Sequence, residues 1–156
     1  MKVGEEQTAQ DYLEQISAAF DEAQLYYGHG TDNAWDEACW LFETIMRRHG
    51  MTDLQPAMVL NKQSPQMQEI SLLAARRIRE RTPLAYLLQE AWFCDLPFYV
   101  DDRVLVPRSP IAELIGNQFE PLLHKAPTRI LDLCTGGGCI GIASAMAFPD
   151  AQVVLA

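Results

Sequence analysis

The residues with the clearest chemical capability lie in one short stretch, Asp132-Leu133-Cys134-Thr135-Gly136-Gly137-Gly138. Three consecutive glycines let the chain turn sharply and keep side chains away from the backbone amides. The turn leads into a run of small apolar residues, Cys139 to Phe148, that reads as a helix, so a ligand can meet the amides at its N-terminus. Gly136-x-Gly138-x-x-Gly141 literally satisfies the dinucleotide fingerprint. Asp132, four residues before the first glycine, points elsewhere. A carboxylate there repels a pyrophosphate, but it attracts an ammonium group or binds water beside a sulfonium. S-adenosylmethionine therefore fits this turn better than NAD. The acid that would hold ribose hydroxyls about 20 residues after such a loop falls at or just past Ala156, and Asp150 is too early and sits in a turn. A Walker loop is excluded because no glycine of the turn is followed by lysine.

Metal and disulfide chemistry have less support. Cys39, Cys94, Cys134 and Cys139 form no CxxC pair, and none has histidines at zinc-ligand spacing. They read as reduced thiols, with Cys134 and Cys139 as small fillers.

The elements that must hold the glycine turn are a strand before it, Arg129 to Cys134, and a second strand after it, Gln152 to Ala156. Strand, turn, helix and strand form a βαβ unit, whose strands must run parallel. Further upstream the apolar period is that of helices. Tyr12 or Leu13, Ile16, Phe20, Ala23 and Tyr27 mark a helix over residues 6–27; Trp35, Ala38, Phe42, Ile45 and Met46 mark a second. Arg47, Arg48 and His49 before Gly50 close the second helix. Ser64-Pro65 caps a third, with Met67, Ile70, Leu73, Ala74 and Ile78 as its stripe. Three such helices can bury their stripes as a small bundle. After Pro83 the period moves toward two. Tyr86-Leu87-Leu88, Ala91-Trp92-Phe93, Phe98-Tyr99-Val100 and Val104-Leu105-Val106 read as short strands of a hairpin-like connector. Ser109-Pro110 starts a fourth helix, with Ile111, Leu114, Ile115, Gln118 and Phe119, that ends near Pro121.

The 156 residues suit one ordinary domain plus a small appendage, and 49% hydrophobic with 21% charged residues is a globular balance. No apolar run approaches the roughly 18 residues that span a bilayer, and Met1-Lys2-Val3-Gly4-Glu5-Glu6 is too acidic for a signal peptide. A cytoplasmic protein without a membrane partner is expected. The net charge of −9 argues against DNA or RNA as the main partner. Residues 1–46 hold ten acids against the single base Lys2, while the remainder is balanced at eleven of each sign. That face can steer a basic protein toward it, or it can be the solvated side of two helices. The cluster Arg76, Arg77, Arg79 and Arg81 reads as another solvated face, with contact to RNA as the alternative.

Asp132-Leu133-Cys134-Thr135-Gly136-Gly137-Gly138 resembles the first motif of class I S-adenosylmethionine-dependent methyltransferases. With Arg81-Thr82-Pro83-Leu84-Ala85-Tyr86-Leu87 and Val104-Leu105-Val106-Pro107-Arg108 upstream, the whole chain resembles the protein-(glutamine-N5) methyltransferases. The resemblance implies an α/β chain of three parts: a helical substrate-recognition bundle over 1–82, a β-hairpin linker over 83–106, and the start of a Rossmann-like domain over 107–156. It implies S-adenosyl-L-methionine as cofactor, held by Asp132, Cys134, Thr135, Gly136, Gly137 and Gly138 with Pro107 and Arg108 beside it. Phe93 matches an aromatic position near the target glutamine; plain hairpin core is the competing reading of that residue. Arg108-Ser109-Pro110-Ile111-Ala112-Glu113, and Cys134 in place of a glycine, resemble the branch that methylates a large-subunit ribosomal protein, rather than the release-factor branch.

The family's catalytic Asn-Pro-Pro-Tyr is absent, since none of Asn33, Asn61 or Asn117 is followed by proline. The expectation is the N-terminal part of such an enzyme, inactive by itself, whose strand edges at 129–134 and 152–156 either drive self-association or leave that region poorly ordered. A nicotinamide oxidoreductase and an acidic module that binds a basic protein are the other readings.

Overall fold

A computed structural model describes residues 6–156, the side chain of Glu6 excepted; Lys2 and Glu5 of the charge reading lie outside it. The described chain divides into two compact units between Leu88 and Gln89.

The first unit opens with strand β1 (Glu6–Thr8) and helix α1 (Ala9–Glu22). Thr8 sets the boundary between them: its hydroxyl accepts the Asp11 N–H, and the Asp11 carboxylate accepts the Thr8 N–H in return. A residue making this reciprocal cap must be extended, so the helix expected from residue 6 starts at Ala9. Residues 6–8 instead pair antiparallel with β2 (Val59–Asn61), with Gln7 opposite Leu60. The helix also stops short of Tyr27, because Gln24 adopts a left-handed φ of 50°. Helix α2 (Ala34–Arg48) is capped by Asn33, which accepts the Asp36 N–H at 2.9 Å. Ala38, Leu41, Phe42, Ile45 and Met46 are buried; Trp35, in the first turn, is exposed. Helix α3 (Pro65–Glu80) begins on its proline, and the Ser64 hydroxyl makes no capping bond. Met67, Ile70, Leu73 and Ala74 join Tyr12, Ile16 and Phe20 in one apolar core.

Residues 86–88, expected as a strand, are helical: α4 spans Leu84–Leu88. Pro83 presets φ for a first turn, its carbonyl accepts the Tyr86 N–H at 3.0 Å, and the spacing of Leu84, Ala85 and Leu88 buries one helical face. α4 therefore completes the bundle, and the units divide later than residue 82.

In the second unit, β3 (Ala91–Phe93) and β4 (Leu96–Phe98) form an antiparallel hairpin with Trp92 opposite Pro97. Cys94 and Asp95 supply the two positive φ angles, 50° and 61°, of a tight two-residue turn. Tyr99-Val100 and Val104-Leu105-Val106 are not strands. Helix α5 (Ile111–Gly116) is shorter than its pattern, since Gln118 and Phe119 are left-handed. The βαβ unit is present: β5 (Arg129–Asp132), α6 (Cys139–Ala147) and β6 (Gln152–Leu155), with the strands parallel and Asp132 opposite Leu155. Phe93, Ile115 and Ala143 form the core of this unit. No helix among the described residues is long and apolar enough to cross a membrane.

Candidate functional site

The site is built where β5 ends and α6 begins. Asp132, the last residue of β5, is buried, and one of its carboxylate oxygens accepts both the Thr135 hydroxyl at 2.7 Å and the Gly141 N–H at 2.9 Å. The acid therefore pins the turn from both sides. It also places a negative charge against the first turn of α6, where the helix dipole favours an anion. That position is then filled by the protein's own carboxylate, which makes the turn a poor seat for a pyrophosphate. The residue after β6 is bonded to the same region, with the Thr135 N–H on the Ala156 carbonyl at 3.2 Å and the Ala156 N–H on the Asp132 carbonyl at 2.9 Å.

Two glycines, Gly136 of the turn and Gly141 of α6, do distinct work. Gly136 has φ 54°, and a Cβ there would meet nothing within 4 Å, so the backbone faces open space where a ligand can lie against it. Gly141 is required for packing: a Cβ would collide with a Leu155 methyl and come 3.0 Å from the Asp132 carboxylate. Sequence reasoning counted Gly141 only as the third letter of a fingerprint. Its role in closing the helix onto the strands is the general one for that position. Cys134 is exposed with φ 60°, a conformation that the glycine usual there would adopt at less cost. Burial raises the Cys139 thiol above its ordinary pKa, and the same cause raises Cys94.

The other expected site residues lie elsewhere in the second unit. Pro107 is half-buried and Arg108 exposed, in the irregular stretch before α5. Phe93 is 5% exposed and shares an apolar cluster with Ile115 and Ala143. Its neighbour Trp92, on the opposite face of the strand, is the exposed aromatic.

The arginine cluster is corrected by the structure. Arg76 and Arg79 reach Glu80 at the surface, and this pairing holds the Glu80 carboxyl below its ordinary pKa. Arg77 is instead buried at 2% exposure, donates to the buried Glu37 carboxylate, and donates to the Tyr26 carbonyl at 2.8 Å. Arg81 donates to the Gln24 carbonyl at 3.0 Å. These two residues anchor the α1–α2 loop. Glu37, read as part of an acidic face, is taken out of it; the Thr31 hydroxyl donates to its other oxygen at 3.2 Å.

No family model matches the chain. Individual proteins do. The chain is 40% identical over 152 residues, 95% of its length, to a protein named ribosomal protein uL3 glutamine methyltransferase of Francisella tularensis subsp. tularensis. It is 40% identical over 152 residues, 94% of its length, to a protein of the same name from Neisseria gonorrhoeae. Along nearly its whole length the chain is similar to these two ribosomal protein uL3 glutamine methyltransferases. It spans about half the length of the curated relatives it matches, 48% and 49% respectively. Both carry the ribosomal-protein branch in their names, the branch to which Ser109 and Cys134 pointed.

Proposed function

We infer that the chain contributes the cofactor loop and substrate-recognition part of an enzyme that transfers a methyl group to the side-chain nitrogen of a glutamine in ribosomal protein uL3. The observation that carries the reading is the turn itself: a carboxylate locked between strand and helix, beside an open glycine backbone, in a chain 40% identical to named uL3 glutamine methyltransferases. S-adenosyl-L-methionine, when bound, supplies an electrophilic methyl on a sulfonium. The residues fit it: Gly136 and Gly137 leave room against the main chain, and Asp132 disfavours a phosphate-bearing cofactor while tolerating positive charge. Asp132, Cys134, Thr135, Gly136, Gly137 and Gly138 are proposed to hold the cofactor, with Pro107 and Arg108 beside them. Their contribution is positioning and exclusion of water from the reacting groups. The Asn-Pro-Pro-Tyr clamp that orients the glutamine amide in this family is not among these 156 residues.

In this reading the βαβ unit opens a Rossmann-like domain, and the helical unit recognises the substrate. Asp11, Glu14, Asp21, Glu22, Asp32, Asp36 and Glu43 are all exposed, a surface suited to attracting a basic ribosomal protein. Isothermal titration with S-adenosylhomocysteine and, separately, NAD tests the cofactor. Transfer of labelled methyl to uL3 by a protein containing this chain and the remaining length of its relatives tests the reaction. Binding of NAD in preference to S-adenosylhomocysteine, or absence of label on glutamine, would overturn the reading.

A further inference from the structure

The β3–β4 hairpin has two unlike faces, and its own core uses one of them. Ala91 and Phe93 are buried, and Leu96 and Phe98 pack with them. Successive residues of a strand point to opposite faces, so the other face carries Trp92 across from Pro97 and continues toward Tyr99. Trp92 is 47% and Tyr99 63% exposed, and Pro97 is exposed as well. Both rings are held at their polar ends. The Trp92 indole N–H donates to the Glu90 carboxylate at 3.1 Å, and the Gln89 amide donates to the Tyr99 hydroxyl at 2.9 Å. A ring restrained before its partner arrives has less rotamer freedom to lose on binding.

The charge of this segment has one sign. From Thr82 to Asp102 there are four acids, Glu90, Asp95, Asp101 and Asp102, and no Lys, Arg or His. Asp101 is engaged by the Arg103 guanidinium at 2.6 Å. Exposed aromatic rings on a segment whose remaining acids, Asp95 and Asp102, face solvent suit a side chain that combines positive charge with an aliphatic stem, through cation–π attraction and Coulomb attraction together. Phosphate-bearing partners, nucleic acid or an anionic lipid surface, are repelled by the same charges.

The geometry points to the outward face of the hairpin, Trp92, Pro97 and Tyr99, as a docking surface for a lysine- and arginine-rich segment of the protein substrate. It rests on the methyltransferase reading for the identity of that substrate. Strand alternation places residue 93 in the apolar core of this unit and residue 92 on its outward face.

The test is titration of uL3 into the chain at fixed ionic strength, with Trp92→Ser, Tyr99→Ser and, as an exposed apolar control in the same unit, Leu105→Ser. Each aromatic variant should weaken binding about threefold to fivefold. Trp92→Phe should restore most of it, and Leu105→Ser should not change it. Far-UV circular dichroism and the thermal midpoint establish that the variants fold. Wild-type affinity in both serine variants, an equal loss in Leu105→Ser, or no binding of uL3 by the chain would overturn the docking surface. So would sedimentation showing that the face instead joins two copies of the chain. In the longer protein that transfers methyl, the serine variants should raise KM and leave kcat unchanged. Absence of methyl transfer by the unsubstituted longer protein defeats the enzymatic reading, whereas the binding titration still decides the docking surface.

Discussion

Phe20, Leu41, Ile45 and Ile70 are sealed from solvent in the first unit, where three long helices and α4 cover one another's stripes. In the second unit the βαβ layer is covered on one side only: α6 and α5 pack against each other and the hairpin, while Leu131 and Leu133 of the strand and turn are 62% and 70% exposed. Both units obey the same rule of burying apolar surface, but only helices with complementary stripes can satisfy it with so few elements. A parallel sheet needs cover on both faces. The bundle buries its apolar stripes within itself, whereas among the described residues the βαβ unit leaves Leu131 and Leu133 exposed. Substitutions in the first unit should therefore cost global stability, and substitutions in the second should act locally.

The largest effect is expected at the buried ion pair. Arg77→Met leaves Glu37 as an uncompensated buried charge and should destabilise the bundle by about 3–5 kcal/mol, seen as a lower thermal midpoint. Adding Glu37→Leu should recover much of that. A mild effect of the single change with no recovery in the double would mean that water reaches Glu37. Next is Gly141→Ala, where the new methyl meets Leu155 and the hydrogen-bonded Asp132. Leu155 can turn aside but Asp132 cannot without losing its bonds, so a cost of about 1–3 kcal/mol is expected. Amide exchange should locate it at residues 129–156 and leave the bundle protected.

Gly136→Val should do little to the fold beyond the strain of a branched residue at φ 54°, since nothing lies within 4 Å of the new Cβ. It should nevertheless reduce affinity for S-adenosylhomocysteine at least about tenfold, with Asp132→Asn reducing it less. Equal affinity in the glycine variant would remove the turn from the cofactor site. Leu131→Lys should lower concentration-dependent self-association in sedimentation velocity, because it places charge on the open sheet face. A chain that is monomeric at high concentration before substitution would show that this open surface does not recruit a partner.

The smallest effect concerns pH. Hydrogen bonds from Arg103 lower the Asp101 carboxyl from its ordinary value to about 2. A depressed carboxylate pKa stabilises the fold above the unfolded value and loses that contribution as pH falls through about 2. The turn at 101–103 should thus keep its ion pair at pH 4, and carbon-13 shifts of the Asp101 carboxyl should show its titration only near pH 2.

Much of this was legible in the residues because the signals are local. Pro65 at the start of α3, apolar spacing of three and four, and glycines in a sharp turn all act within one helical turn of themselves. They pointed to the three helices, to a hairpin-like connector after Pro83 of which only residues 91–98 form strands, and to the strand–turn–helix at Asp132. Similarity along the chain then extended the family resemblance of that turn.

Other outcomes depended on partners far along the chain. Arg77 has the same helical context as Arg76, and only the approach of α2, forty residues earlier, makes one a buried partner of Glu37 and leaves the other at the surface. Residues 6–8 could extend a helix until β2 offers its edge, and Tyr86-Leu87-Leu88 could be a strand until the bundle buries Leu84 and Leu88. Which aromatic of Trp92-Phe93 faces out depends on which side of the hairpin meets α5 and α6. Gly141 shows the division most clearly: its identity is written in the sequence, but the need for it arises only when Leu155 and Asp132 close to within a methyl group of the helix.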